Sequence, residues 1–185
     1  MSAYLMTAAR HRGFLLALTL VSICALAVKT QGQRPRTVLD YYRLLPGKYF
    51  EANFEQRMDF MLDPKRGAIV DVPNGYLFAP GDGAQTDVNV RLFKKADGQN
   101  VIAVKSHAPD SRDFTYLDFY VYSRGSWVEV TKAILSVQLK DELKYELPRR
   151  GKTIRVADKR GRGLYDLIWS GKRFKLQHHS LHSRV

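Results

Sequence analysis

The sequence predicts an α+β fold, with two short N-terminal helices packed on a mostly antiparallel β-sheet or open barrel of about eight to ten short strands. The first observation behind it is that short apolar segments, separated by Gly, Asn and Asp, recur from residue 67 to residue 177. The second is that no helical pattern of about 10–15 residues lies between these segments, as parallel strands would require. The chain has 185 residues, of which 45% are hydrophobic, which suits one domain with its own core.

The first 27 residues have the organisation of a secretory signal peptide. Two arginines precede an uncharged apolar run at residues 13–28, and Ala-Leu-Ala near its end matches a small-residue cleavage pattern. Cleavage there makes Val28 the first mature residue, and cleavage after Gly32 is the alternative. The run is shorter than the roughly 18–20 residues of a spanning helix, so we expect a secreted or periplasmic protein. The alternative is a membrane anchor formed by an uncleaved N-terminal segment.

The remaining chain divides by composition into three parts. Residues 28–36 are polar and indicate a linker, 37–177 form a single β-rich domain with a helical cap, and 178–185 form a polar tail. The only cysteine, Cys24, lies in the leader, so we expect a mature chain without disulfides, thiol catalysis or a cysteine-ligated metal. We also expect no transmembrane segment in that mature chain.

Two short helices are expected at the start of the domain. Thr37 is placed to cap the first, whose apolar residues recur at helical spacing before Pro46-Gly47 ends it. Asn53 and Gln56 have capping-box spacing and would open the second, which Asp63-Pro64 closes. Helices this short need tertiary contacts, so we expect them to cover a face or edge of the sheet.

Hairpins account for most of the rest. Asn74-Gly75 is a strong turn signal between residues 68–72 and 76–78. Residues 107–113 are polar and are expected to form a loop. Residues 134–147 are ambiguous, because their leucines fit a helix and their alternating apolar residues fit a strand, which we favour. The other predicted strands are residues 88–95, 101–106, 116–123, 127–131, 152–157, 164–169 and 172–177.

Charge is concentrated near the C-terminus. The formal net charge is +12, and the 37 residues from Arg149 to Val185 contain 11 Lys and Arg but two acids. Such a tract attracts polyanions through a salt-sensitive electrostatic term. We expect its turns, 158–163 and 170–173, to present this charge at one end of the sheet.

The sequence therefore predicts an exported, non-enzymatic binding module that contacts an anionic envelope component through its basic C-terminal hairpins. An anionic polysaccharide, a lipid head group or a protein partner fits that charge, whereas export argues against nucleic acid. A row of tyrosines on one face of a strand could add stacking on sugar rings. The candidate ligand-binding residues are Tyr116, Tyr120, Tyr122, Arg149, Arg150, Arg160, Arg162, Lys172 and Arg173.

The alternative is a small hydrolase of an envelope polymer. It would need paired carboxylates, such as Asp82 with Asp87, or Asp118 with a partner distant in sequence. The chain contains no P-loop, dinucleotide fingerprint, H-E-x-x-H or G-x-S-x-G motif, which disfavours the enzyme classes that carry them. The histidines at 178, 179 and 182 lack a rigid frame and acidic partners. We therefore expect no metal site and no cofactor.

Overall fold

The computed structural model describes residues 35–49, 58, 60–81, 86–108 and 111–178, without the side chains of 107–108 and 111–115. The chain divides into two compact units, Met1–Pro35 and Arg36–Val185, and all elements below belong to the second. The predicted leader lies outside the described residues. Within the described residues, no helix is both long enough and apolar enough to cross a membrane.

In the part of the chain that the structure describes, ten strands form two antiparallel sheets, and in each sheet the strands that are neighbours in sequence pair with one another. The prediction of about eight to ten short, mostly antiparallel strands is confirmed. The open barrel is wrong, because the chain leaves the first sheet after its sixth strand and builds a separate second sheet. The first sheet comprises β1 Ile69–Asp71, β2 Tyr76–Ala79, β3 Val88–Lys94, β4 Asn100–Ala108, β5 Ser111–Ser123 and β6 Ser126–Glu129. The second comprises β7 Lys144–Glu146, β8 Thr153–Ala157, β9 Gly163–Trp169 and β10 Phe174–His178, in the order β10-β9-β8-β7.

The centre of the first sheet is buried on both faces. Its central strand β4 is apolar at consecutive positions, and strand geometry sends alternate side chains to opposite faces. Val101 and Ala103 belong to the core shared with the second sheet. Ile102 and Val104 belong to the core shared with the N-terminal segment. The described domain is therefore layered, with the six-stranded sheet between the four-stranded sheet and the N-terminal segment.

Aromatic packing joins the two sheets. Phe174, at the start of β10, is fully buried, and its ring centroid lies 5.0 Å from that of Phe93 and 5.2 Å from that of Phe119 in the first sheet. Trp169 packs against the same ring at 5.0 Å, so residues from both sheets surround it. Large rings with this much buried area dominate the energetics of such a core.

One N-terminal α-helix covers the opposite face of the first sheet. Helix α1, Val38–Leu44, has a capping box, in which the Thr37 hydroxyl accepts from the Asp40 N–H and the Asp40 carboxylate accepts from the Thr37 N–H. This satisfies backbone donors that have no partner within the helix. Tyr41 and Tyr42 are buried against the sheet.

The second predicted helix is not supported. Its proposed start, Asn53 to Gln56, lies outside the described residues. Residues 60–62, near its proposed end, form a turn, and a 3-10 turn, Pro64–Arg66, follows after Asp63 caps it. Asp63-Pro64 therefore begins a 3-10 turn, because proline is well suited to the first turn of a helix.

Two further segments differ from expectation. Residues 134–147 form neither one helix nor one strand: a short helix, α2 Thr131–Ile134, is followed by irregular chain until β7 begins at Lys144. Residues 107–113, expected to be a loop, largely continue β4 and β5, which pair as far as Ala108 and Ser111 with a shift of register. Polar residues can extend a strand when the neighbouring strand already supplies the hydrogen bonds.

We expect Phe174→Ala to lower the free energy of unfolding by about 3–5 kcal/mol, because it removes the ring that both sheets share. Lys175→Ala, at the exposed next position, is the control and should change it by less than about 0.5 kcal/mol. Urea unfolding followed by fluorescence measures both. If Phe174→Ala lowered the free energy of unfolding as little as Lys175→Ala does, the result would contradict a core shared by the two sheets.

Candidate anion-binding site

Five turns come together at one end of the two sheets. Successive turns of an antiparallel meander lie at alternate ends, so the turns after β1, β3 and β5 share one end of the first sheet. The turns after β7 and β9 lie at the same end of the second sheet, since the Ala96 N–H donates to Gly171 O at 3.2 Å. We call this the basic end: residues 71–75, 94–99, 124–125, 147–152 and 170–173, with eight Lys and Arg and two acids.

A cavity of about 430 Å³ opens at the basic end, between the two sheets. Four cationic side chains and no carboxylate line it, and the rest of its wall is amide, apolar and backbone groups. A site with one sign of charge and partly apolar walls concentrates anions. The cations are Arg36, Arg91, Lys94 and Lys152, and the other lining residues used below are Asn74, Gly75, Phe93, Asn100, Gly151 and Trp169.

Arg91 is the buried cation of this cavity. Only 8% of it is exposed, and it lies on the face of β3 that carries Phe93 towards the second sheet. One guanidinium nitrogen, Nη2, donates to Gly151 O at 2.8 Å, whereas Nε is buried without a hydrogen-bond partner among the described residues. Burial lowers the pKa of Arg91 and the Asp71 carboxylate opposes that shift. An arginine nevertheless stays charged in a protein, so an unused donor lies in a low-dielectric setting.

Asp71 anchors the turn that forms one wall. Its Oδ2 accepts from Arg149 Nε at 2.7 Å, and its Oδ1 accepts from the backbone N–H and side-chain Nδ2 of Asn74 at 3.3 and 2.9 Å. The Arg149 hydrogen bond, followed by those of Asn74, holds the pKa of Asp71 below its ordinary value. The carboxylate is thus ionised at neutral pH and ties the first sheet to the β7–β8 connection.

A tight turn completes that wall. Gly75 has a positive φ of 63°, and its carbonyl accepts from the Leu92 N–H at 2.9 Å. A Cβ at position 75 would lie 3.1 Å from the Leu92 Cβ. Glycine therefore allows the turn to lie directly against β3.

The predicted basic residues separate into two groups. Arg149, Arg150, Lys172 and Arg173 lie at the basic end, as do Lys94 and Lys95 from the first sheet. Residues 158–163 lie at the opposite end, because one strand separates successive turns. The expectation that both turns share one end is therefore wrong.

The separation is substantial and one of the distant charges is already paired. β9 has 7 residues, so the two turns are roughly 20 Å apart at about 3.3 Å per residue. Arg162 Nε donates to Asp158 Oδ2 at 2.7 Å within its own turn. Arg160 belongs to that distant turn too, so neither arginine can contact a group bound in the cavity.

The tyrosine row of β5 is mostly covered. Tyr120 is 5% exposed, and its ring lies 5.7 Å from that of Trp127. Tyr122 is half-buried and packs edge-on against Tyr41 of α1 at 6.4 Å. Tyr116 alone of the three is exposed, at 51%. The helical layer therefore occupies the surface on which sugar rings would have stacked.

A polar cluster holds the N-terminal segment on that face. The Tyr49 hydroxyl donates to Asp118 Oδ2 at 2.6 Å and lies 2.7 Å from the Tyr120 hydroxyl, to which Lys48 Nζ also donates at 2.7 Å. Burial, with the hydrogen bond to Asp118, raises the pKa of Tyr49 far above its usual range. Burial alone would lower the pKa of Lys48, but the Tyr120 hydrogen bond and the Asp118 charge raise it overall. Tyr49 and Lys48 therefore keep their protons and donate to the Asp118 carboxylate and the Tyr120 hydroxyl.

Of the carboxylates named for the hydrolase alternative, the two that the structure describes, Asp87 and Asp118, do not line the cavity. Asp118 accepts a hydrogen bond from Tyr49 and forms an ion pair with Lys48. Asp87 Oδ1 accepts from the Gly81 N–H at 2.7 Å. Asp82 lies outside the described residues, so its pairing with Asp87 stays a prediction. No group of three or more His, Cys, Asp or Glu among the described residues is placed to hold a metal ion.

Sequence reasoning missed Arg36, Arg91 and Lys94, which lie far from the C-terminal tract. Arg91 did leave a signal, because it interrupts an otherwise apolar stretch of β3 between Val90 and Leu92. A charged residue inside a strand of that kind is either paired or functional.

Comparison of the chain with protein-family models, curated proteins and solved structures finds no match.

We expect Asp71→Asn to destabilise the protein at pH 7, because Arg149 then loses its anionic partner. The pKa of Asp71 is lower in the folded protein than the unfolded-state value of about 3.9. Ionised Asp71 therefore contributes its full stabilisation of the folded protein above that pH, and the contribution is lost as the pH falls through the lower folded-state pKa. The difference in stability between Asp71→Asn and wild type should therefore shrink below about pH 4. Urea midpoints between pH 7 and pH 3 measure it.

The control for this pH series is Glu129→Gln, at an exposed position of β6. It should leave the midpoint close to that of wild type over the whole pH range. An Asp71→Asn difference that stays constant from pH 7 to pH 3 would show that the Asp71–Arg149 pair contributes no pH-dependent stability.

Proposed function

We propose that this chain is an exported, non-enzymatic binding module that contacts an anionic polymer of the cell envelope through its basic end. The observation that carries the proposal is the gathering of eight Lys and Arg against two acids in five adjoining turns. These turns come from both sheets and from distant parts of the sequence. Their common surface is a property of the fold rather than of one basic segment.

The charges at the basic end are accessible to a partner. Arg150, Lys152, Lys172 and Arg173 are exposed, and the ion pair found at this end among the described residues joins Arg149 to Asp71. Attraction between solvent-exposed charges is screened within about 8–10 Å at physiological salt. A single exposed ion pair contributes at most about 1 kcal/mol to the free energy of binding. Tight binding therefore requires several cations, close enough together to escape screening, to contact a polymer that carries repeated negative charges.

The chemistry of the described clusters supports binding rather than turnover. The cavity wall presents cationic hydrogen-bond donors and no carboxylate. General acid–base hydrolysis needs both an acid and a base beside the scissile bond. A basic surface of this kind instead fits retention of a negatively charged chain.

Reversing two charges at the basic end should abolish most of this binding. We expect Arg150→Glu/Arg173→Glu to bind heparin, used as a model polyanion, on the order of tenfold or more weakly, with a shallower salt dependence. Lys159→Glu/Arg160→Glu is the matched control, since it makes the same change of net charge in the exposed turn at the opposite end. Its affinity should stay within about threefold of wild type. Titration at several salt concentrations measures all three proteins.

Equal losses in the two variants would mean that net charge alone, rather than the basic end, drives the association. That result would contradict the proposed surface. Circular dichroism of each variant establishes that both remain folded.

Export rests on the sequence of the leader and has its own test. We expect bacterial expression to yield a periplasmic protein whose measured mass corresponds to a chain that starts at Val28. Ala27→Asp should block processing, because the residue before the cut must be small and uncharged. Leu26→Gln, at the unrestricted middle position of the pattern, should be processed normally. An unprocessed wild-type chain that stays with the membrane would indicate an anchor instead.

A further inference from the structure

We propose that the cavity at the basic end binds one phosphate monoester carried on a sugar-sized polar unit. This deepens the proposed function and rests on it, because the cavity lies within the same surface. A polymer attracted to the exposed turns would then be recognised at one of its phosphorylated units.

The first step of the argument is the donor set of Arg91. Its guanidinium is held by the Gly151 carbonyl at 2.8 Å, stacks within 5.6 Å of the Phe93 ring, and keeps Nε without a partner among the described residues. The fold thus leaves part of the donor capacity of this cavity-lining guanidinium unused, and an oxyanion in the cavity would lie against a charged group that is poorly solvated. Guanidinium donors match the oxygen spacing of phosphate and carboxylate groups.

The second step separates phosphate from carboxylate. Arg36, Lys94 and Lys152 are exposed side chains on the cavity wall, and they add three positive charges to that of Arg91. A carboxylate carries one negative charge, whereas a phosphate monoester carries about 1.5–2 at neutral pH and has three acceptor oxygens. The group with more charge and more acceptors gains more from four cations.

The third step concerns what carries the phosphate. A volume of about 430 Å³ falls within the range of small-molecule pockets and exceeds the needs of a lone oxyanion. The amides of Asn74 and Asn100 line part of the remaining space, whereas Phe93 and Trp169 are almost wholly buried behind it. Amide groups form hydrogen bonds with hydroxyls, so the wall suits a polar carrier such as a sugar.

The test uses calorimetric titration of the full-length protein with three probes: glucose 6-phosphate, glucuronate and glucose. Glucose 6-phosphate should bind at least about tenfold more tightly than glucuronate, in line with its greater charge, and glucose should show no heat of binding. Glucose 6-phosphate linked to dextran through its anomeric carbon is a fourth probe. Tighter binding of the linked form assigns the site to a polymer unit, and tighter binding of the free form assigns it to a soluble sugar phosphate.

Three variants locate the site. Arg91→Lys keeps the charge but loses the forked donors, and we expect a loss of about tenfold or more. Lys94→Gln/Lys152→Gln changes exposed rim residues that should not affect folding, and we expect a loss of about fivefold to tenfold, as for two weakened ionic contacts. Lys159→Gln/Arg160→Gln, at the opposite end, should leave the affinity within about twofold of wild type.

The outcomes are distinguishable from those of the proposed function. Heparin binding that is sensitive to Arg150→Glu/Arg173→Glu, with no heat from any small probe, would overturn this inference and leave the binding module in place. Glucuronate binding as tightly as glucose 6-phosphate would overturn the assignment to phosphate. An unchanged affinity in the rim variant would overturn the location, even if Arg91→Lys failed to fold.

Discussion

Three hydrogen bonds join the two sheets at the basic end. Trp169 Nε1 donates to Lys94 O at 2.8 Å, the Ala96 N–H donates to Gly171 O at 3.2 Å, and Arg91 Nη2 donates to Gly151 O at 2.8 Å. Each joins a side chain or turn of one sheet to the backbone of the other. They fix which turns are neighbours, and with them the positions of Arg91, Lys94 and Lys152 on the cavity wall.

Holding so many cations together costs free energy through mutual repulsion. The fold offsets this cost elsewhere, in the aromatic core formed by Phe93, Phe119, Trp169 and Phe174 a short distance inward. The Asp71–Arg149 pair neutralises one cation, and the remaining side chains are long and reach solvent.

The strands could be predicted from the sequence because their turns are marked locally. Gly75, Gly98 and Gly125 all adopt positive φ in turns that the composition indicates, and the segments between them are short, apolar and of strand length. The arrangement of the sheets could not be predicted in this way. Whether the tyrosines of β5 are open or covered depends on where α1 packs, which is a contact between residues about 80 apart.

The site was predicted in part, and for a similar reason. Charge counting located Arg149, Arg150, Lys172 and Arg173, because they are consecutive or nearly so. It could not find Arg91 or Arg36, which approach Lys152 only when the two sheets stack. Placing residues 158–163 beside 170–173 was an error of topology, because one strand of a meander always separates successive turns.

The Gly75 turn affects the entropy cost of ligand binding in the cavity. Since the Gly75 carbonyl accepts from the Leu92 N–H and the backbone leaves no room for a side chain, the fold itself fixes this wall of the cavity. Little ordering entropy is then lost at this wall on association, a saving known as preorganisation. A side chain at residue 75 would crowd both the Leu92 Cβ and the charged Arg91 Nη1, which would lie 3.1 and 3.4 Å from its Cβ, so the turn requires glycine.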